Sequence, residues 1–240
     1  MQKNILITGQ PKSGKSTLLR KLIAAIDDKV GFVANEVLVG GERVGFEVET
    51  NRGLKAPLAN VAIKTAHKVS KYYVDVEGLE SVLPEVADFQ PATLLYLDEI
   101  GEMQLFSEKF KDLVLDYLNA ENTCVATISA VFENDYTRSL KERDDIILVE
   151  ISADNREEKE LFLAQLLKKI AKAKVYASQP ERFVLKGSLA ELRSEHGTRQ
   201  LHKVGDKWIC DCDFNAHYGI CSHAIAVKEI TRKYTNNANL

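Results

Sequence analysis

The chain has 240 residues, 45% of them hydrophobic and 28% charged, with a formal net charge of −3. That balance fits a soluble globular protein of one large domain or two. No apolar run approaches the roughly 20 residues a membrane helix needs, and no charged, apolar and small-residue leader opens the chain, so a cytoplasmic protein with no membrane partner is expected. The charge is uneven. From Arg182 on, nine Lys and Arg stand against six Asp and Glu, a formal +3, leaving −6 for the first 181 residues. Such asymmetry hints at two functions in one chain.

In chain order, the apolar run Asn4–Thr8 reads as a strand. It leads directly into Gly9-Gln10-Pro11-Lys12-Ser13-Gly14-Lys15-Ser16, the pattern G-x-x-x-x-G-K-[ST], and Leu18, Leu19, Leu22, Ile23 and Ile26 then recur at helical spacing. Strand, glycine-rich loop and helix are the context a phosphate-binding loop requires. Val30–Val37 and Val44–Glu49 read as a hairpin about Gly40-Gly41. Glu77 to Phe89 reads as a helix that Pro84 would kink. Thr93–Leu97 is a strand ending in Asp98-Glu99. Leu105 to Leu118 is an amphipathic helix, Thr123–Ser129 and Ile146–Ile151 are strands, and Asn155 to Ala173 is a charged helix with an apolar stripe. Lys174–Glu181, with Ser178-Gln179-Pro180, reads as a linker. Short segments follow: Phe183–Leu185, Leu189–Leu192, a turn at His196-Gly197, the strand Lys207–Cys210 and a helix over His223–Tyr234. The alternation predicts an α/β fold with a mainly parallel sheet flanked by helices, plus a small C-terminal α+β module.

The loop names a ligand class, a nucleoside triphosphate. Residues Gly9 through Thr17 are the expected binding segment. Gly9 and Gly14 let the backbone approach closely, and backbone N–H groups with a helix N-terminus favour phosphate. Lys15 would reach the β- and γ-phosphates, Ser16 would ligate Mg²⁺ and Thr17 would bond the α-phosphate. The acid closing the strand before it, Asp98, would hold Mg²⁺, and Glu99 would orient or deprotonate an attacking water. A base aimed at water points to hydrolysis rather than a kinase, for which no Arg-dense lid is visible. Arg138 and Arg143 stay open between charge stabilisers and solvated arginines.

Gly31-Phe32, Gly41–Phe46, Tyr72–Glu80, Asp98–Ser107 and Asp154-Asn155-Arg156 together resemble the small P-loop nucleoside-triphosphatase family of the cancer-related type, over about residues 1 to 172. The resemblance implies Mg²⁺-dependent hydrolysis of several nucleoside triphosphates with weak base preference. Three positions depart from that family's pattern: Glu102 stands where it has Lys, Gln104 where it has Glu, and Lys12 where it has Gly. If the family's Lys neutralises triphosphate, Lys12 would restore part of that charge from another direction. Arg43 falls on a family position and stays open between a nucleotide contact and a hairpin flank.

Near the C-terminus Cys210, Cys212, Cys221 and His223 form C-x-C-x₈-C-x-H. Three thiolates and an imidazole suit a closed, structural, tetrahedral Zn²⁺. His217 is a substitute ligand or a surface residue, Trp208 belongs to the small core beside the metal, and Cys124 is a buried structural thiol. With the lead-in Ser194–Gln200, this stretch resembles the SWIM-type zinc finger over roughly Leu185 to Ile230, which implies a DNA, RNA or protein partner. Lys186, Arg193, Arg199, Lys203 and Lys207 are either phosphate contacts or solubilising charge. The expected organisation is therefore a nucleoside-triphosphatase domain over 1–173, a linker over 174–181 and a zinc module over 182–240. Its rivals are a nucleotide-dependent kinase and a nucleotide-controlled nucleic-acid-binding switch.

Overall fold

The structure, a computed structural model, describes residues 1–237. They fall into two compact units: Lys3–Glu160, and Met1–Gln2 together with the chain from Leu161 on.

The larger unit is built on a mixed nine-stranded sheet. Its strands are β1 (Asn4–Thr8), β2 (Lys29–Val39), β3 (Glu42–Thr50), β4 (Lys55–Asn60), β5 (Lys68–Val69), β6 (Tyr72–Val74), β7 (Leu94–Ile100), β8 (Cys124–Ile128) and β9 (Ile146–Glu150), and its helices are α1 (Lys15–Ala24), α2 (Val76–Ala87), α3 (Glu108–Asn119) and α4 (Asp135–Lys141). Five strands in the order β9-β1-β8-β7-β2 run parallel, and β3, β4, β6 and β5 extend the sheet antiparallel. Strands β1 and β8 are buried along their whole length, as the continuous apolar runs require when both faces are covered. The C-terminal ends of β1, β7 and β8 place three loops along one edge of the parallel half, the position where open α/β sheets bind ligands.

Local differences from the sequence reading have physical causes. The helix expected over Leu105–Leu118 is split: a 3₁₀ turn at Gln104–Phe106 precedes α3, because the Ser107 hydroxyl caps α3 by accepting from the Phe110 N–H at 3.1 Å. Strand β4 is absent from the sequence reading because Pro57 argues against a strand. Pro57 pairs with Glu47 beside a bulge at Phe46/Glu47, where a ladder tolerates a missing N–H. Helix α2 runs through Pro84. The helix before the expected linker, α5 (Arg156–Ala177), continues four residues past Ala173, since Tyr176 and Ala177 are buried; only Ser178 and Gln179 separate it from a 3₁₀ turn at Pro180–Arg182.

In the smaller unit β10 (Phe183–Lys186), β11 (Leu189–Ser194), β12 (Gly197–Val204) and β13 (Lys207–Cys210) form an antiparallel meander, followed by α6 (Asp213–Tyr218) and α7 (Ser222–Asn237). Its core joins Leu166, Ile170 and Tyr176 of α5 to Leu192, Leu201, Trp208, Ile225 and Val227.

One buried side chain ties the start of the parallel sheet together. Asn4, with no exposed surface, donates to the Leu118 carbonyl (2.9 Å) and to Asp145 Oδ2 (3.0 Å), and accepts from the Cys124 N–H (3.1 Å). Truncating it takes the side-chain acceptor from the buried Cys124 N–H, while the Leu118 carbonyl keeps Lys3 and Asp145 Oδ2 keeps Arg143, so Asn4→Ala should cost about 1–3 kcal/mol. A drop of roughly 1 M in the urea midpoint checks this.

Candidate active site and metal cluster

The phosphate loop sits between β1 and α1, as its sequence demands. Gly9 adopts φ 156° with the Ile151 carbonyl so close that a Cβ would lie 2.3 Å from it, and Gly14, at φ 95°, caps α1 in the left-handed region. Both positions require glycine. Lys12 holds φ 66° without being glycine, and its exposed side chain borders the cleft. The Lys15 side chain is buried, its ammonium donating to the loop's own Gly9 and Gln10 carbonyls at 3.0 and 3.3 Å.

The acid that the sequence placed 82 residues downstream meets this loop. Ser16 Oγ donates to Asp98 Oδ1 at 2.9 Å, and Thr127 Oγ1 donates to the same oxygen at 2.7 Å. Asp98 is 1% exposed, and its Oδ2 has no partner. Burial pushes the Asp98 carboxyl above the usual carboxylate range, against the Thr127 and Ser16 hydrogen bonds and the charges of Arg20 and Lys15. A buried carboxylate oxygen without a donor, next to a hydroxyl and facing a phosphate loop, is a hard-oxygen donor set that fits Mg²⁺. Glu99 follows on β7; the peptide joining it to Asp98 is cis. Burial raises its pKa too, with Asp98 adding and Lys15 opposing.

The loop, Asp98 and Glu99 line one cleft of about 860 Å³, together with Arg20, Arg43, Glu102, Gln104, Ser129 and Arg156. Arg43 thus belongs to the cleft and not only to the hairpin. Arg138 and Arg143 do not line it: Arg138 pairs with Glu133 and Asp135, and Arg143 grips Asp145 at 2.9 and 3.0 Å. Two residues of the site escaped the sequence reading. Thr127 carries a signal, being the one hydroxyl in the apolar run Cys124–Ile128. Arg20, bonded to the Ala34 carbonyl and Asn35 Oδ1 at 2.8 Å each, carries none, because a basic residue on a helix reads as solvated.

In the smaller unit the four sulfur and imidazole ligands converge. One ligand atom from each of Cys210, Cys212, Cys221 and His223 lies within 4.8 Å of the others. His223 Nδ1 stands 3.6 Å from Cys210 Sγ and 3.8 Å from Cys221 Sγ. Zn–S bonds of about 2.3 Å and Zn–N bonds of about 2.0–2.1 Å in a tetrahedron give S···N edges of roughly 3.6 Å, so the set fits zinc. Asn215 Oδ1 accepts from the Cys210 N–H at 3.0 Å, and the His223 ring stacks on Tyr176 with centroids 5.7 Å apart. A hydrogen bond with Cys221, and then burial, push the Cys210 thiol up, so these neighbouring thiols ionise together only when a cation compensates them. His217 is exposed on α6 with its ring edge against Tyr218, outside the cluster. Cys124, in the other unit, is a buried free thiol.

The chain is 35% identical over 154 residues to a nucleoside-triphosphatase THEP1 of Thermotoga sp. strain RQ2, covering 63% of this chain and 88% of that one. Among solved structures, the crystal structure of THEP1 from Aquifex aeolicus matches with a TM-score of 0.62 at 28% identity, over 69% of this chain and 99% of that one. The solution structure of a human cancer-related nucleoside triphosphatase matches at 0.60 and 26% identity, over 69% and 97%. The fold is accordingly that of the P-loop NTPases. Residues 4–166, which hold the phosphate loop, Asp98 and Glu99, match the NTPase family profile, and the chain belongs to that family of nucleoside-triphosphatases.

Proposed function

We propose that the larger unit hydrolyses nucleoside triphosphates to diphosphate and phosphate with Mg²⁺. The observation that carries this reading is the convergence of Ser16 Oγ on Asp98 Oδ1 at 2.9 Å, with the free Oδ2 beside it and Glu99 next on the same strand. Ser16 and Asp98 would hold the ion, which when bound neutralises charge on the β- and γ-phosphates. The loop from Gly9 to Thr17 positions the polyphosphate. Lys15 places its ammonium on the charge that develops at the β–γ bridge. Glu99 orients the attacking water and accepts its proton.

Phosphate release measured with ATP, GTP, CTP and UTP, with Mg²⁺ and with chelator, tests this. All four should be hydrolysed with Mg²⁺, with rates that differ little, and none with chelator. Glu99→Gln should lower kcat by about 10²- to 10⁴-fold while triphosphate binding stays near wild type. A rate within threefold of wild type would remove Glu99 from the mechanism.

For the smaller unit we propose a structural Zn²⁺ held by Cys210, Cys212, Cys221 and His223, in a module of the SWIM type that binds a nucleic-acid or protein partner. The formal +3 from Arg182 on supports a polyanionic partner. Four cysteines without a disulfide fit the reducing cytoplasm. Stimulation of phosphate release by DNA or RNA, suppressed by moderate salt, is the expected result.

A further inference from the structure

The order of the strands gives a bound triphosphate a direction. Ser16 and Asp98 mark the β,γ end of the tail. Asp98 lies on β7, separated from β1 by β8, and β9 flanks β1 on its other side. The tail crosses the loop that leaves β1, so its α-phosphate and nucleoside lie over the start of α1, toward β9. The described residues that line the cleft on that side are Pro11, Lys12, Gly14, Thr17 and Arg156. The acids and amides of the cleft, Asn35, Glu36, Glu99, Glu102 and Gln104, belong to β2, to β7 and to the chain after β7, at the opposite end. The nucleoside end therefore has no carboxylate or carboxamide to read a base edge. Its one flat group is the Arg156 guanidinium.

Local bonds hold Arg156 against the loop. The Ile151 N–H donates to the Thr8 carbonyl at 2.8 Å, and the Ile151 carbonyl closes on Gly9, so the chain leaving β9 is tied to the start of the phosphate loop. Ser152 and Asn155 then exchange hydrogen bonds: the Ser152 N–H donates to Asn155 Oδ1 at 2.8 Å, and the Asn155 N–H donates to Ser152 Oγ at 3.3 Å. This turn delivers Arg156, the first residue of α5, to Gly14. Its Cδ and Nη1 stand 2.8 and 2.9 Å from the point that a Cβ on Gly14 would occupy, so the missing side chain of Gly14 is what leaves room for the arginine. Asp154, Glu157 and Glu158 stand within two residues of it, yet no group among the described residues bonds the guanidinium, and Glu158 turns to Lys159 instead.

We propose that Arg156 holds the nucleoside, its guanidinium plane stacked on the face of the base, whichever base that is. The proposal rests on the triphosphatase reading above. The charge of the tail is already met by the loop's N–H groups, by Lys15 and by the ion on Ser16 and Asp98. What remains at the far end is a flat, apolar ring. A guanidinium is planar and weakly hydrated, and it packs on such rings better than an ammonium does. Every base offers a π-face, so this contact tolerates them all. Weak preference among the four triphosphates then follows from the site itself, which grips the base by its face and leaves its edges unread.

The test is calorimetric titration of the full-length protein, with Mg²⁺, against the β,γ-imido analogues of ATP and GTP and against inorganic tripolyphosphate, which is a tail without a nucleoside. Arg156→Ala should weaken both analogues about tenfold and tripolyphosphate by less than about twofold. Arg156→Tyr, which keeps a flat face without the charge, should recover more of the lost affinity than Arg156→Lys, which keeps the charge without the plane. Equal weakening of tripolyphosphate, or better recovery by lysine, would make Arg156 a phosphate contact. Unchanged analogue binding would leave it a surface arginine, and a loss confined to one analogue would make it a reader of that base. Each of these overturns the proposal. The triphosphatase reading fails separately: wild-type protein that binds the analogues but releases no phosphate from ATP would sink the hydrolysis and leave the stacking in place. Wild-type protein that binds neither analogue would overturn both.

Discussion

Exchanging Lys15 for methionine should lower kcat for phosphate release at least a thousandfold, about 4 kcal/mol of transition-state stabilisation. The ammonium is the only side-chain cation that the phosphate loop holds buried: Lys15 is 9% exposed, while Lys12 is open to solvent. In so dry a position a single charge aimed at the leaving oxygen acts far more strongly than in water. Methionine keeps the length and the apolar stem that packs below the loop. The fold loses only the bonds to the Gly9 and Gln10 carbonyls, worth about 1 kcal/mol each. The variant should therefore keep its thermal midpoint to within a few degrees and still bind a triphosphate, more weakly. Phosphate release by Lys15→Met within tenfold of wild type would mean that the loop grips something other than the reacting end. Lys12→Ala separates the two lysines. A fall of less than threefold makes the exposed lysine irrelevant to the charge that Glu102 fails to supply, and a larger fall assigns it part of that task.

What was legible in this chain follows the range of the interaction that fixes each residue. The phosphate loop is local: its glycines, its lysine and the helix they cap are adjacent in sequence, and the structure places them as the spacing demands. Asp98 and Glu99 were readable because a strand ending in acids needs only the neighbouring strand to aim it. The four zinc-type ligands were readable from type and spacing, and their side chains converge. Long-range partners were not readable. That Thr127 shares an oxygen with Ser16 depends on β8 lying between β7 and β1, which no local pattern states. Gln104 was read only as a departure from a family pattern just ahead of a helix starting at Leu105, and only the Ser107 cap, which starts α3 later, leaves it on a separate turn bordering the cleft. The antiparallel extension β4–β6 was hidden by its proline and by the shortness of β5 and β6, which have two and three residues. The end of α5 was masked by the turn signal Ser178-Gln179-Pro180, which read as a linker back to Lys174, although Tyr176 is buried with its ring stacked on His223.

Chelation should strip order from the smaller unit, and the chain contains its own reporter. Trp208, the single tryptophan, is 4% exposed on β13 two residues before Cys210, so its emission follows this unit and no other. Zinc held by three thiolates and an imidazole contributes on the order of 10 kcal/mol at neutral pH. A unit of about 80 residues has roughly 4–12 kcal/mol in all by the usual stability per residue. The second half of α5 adds Leu166, Ile170 and Tyr176 to the core, which is more than the short module alone supplies, but not enough to replace the metal. Removing zinc should therefore bring this unit to the edge of unfolding at 25 °C, with red-shifted Trp208 emission that returns on adding Zn²⁺. Cys221→Ser should reproduce the shift permanently and lower zinc content from one per chain toward zero. Its Sγ accepts from the Ala224 N–H at 3.3 Å as well as facing His223, so a weaker ligand there loosens the start of α7 together with the metal. Cys124→Ser is the control, because that thiol lies in the other unit and should leave both zinc content and emission unchanged. Purified protein with no zinc and blue-shifted Trp208 emission would show that the four side chains pack as an ordinary core without an ion.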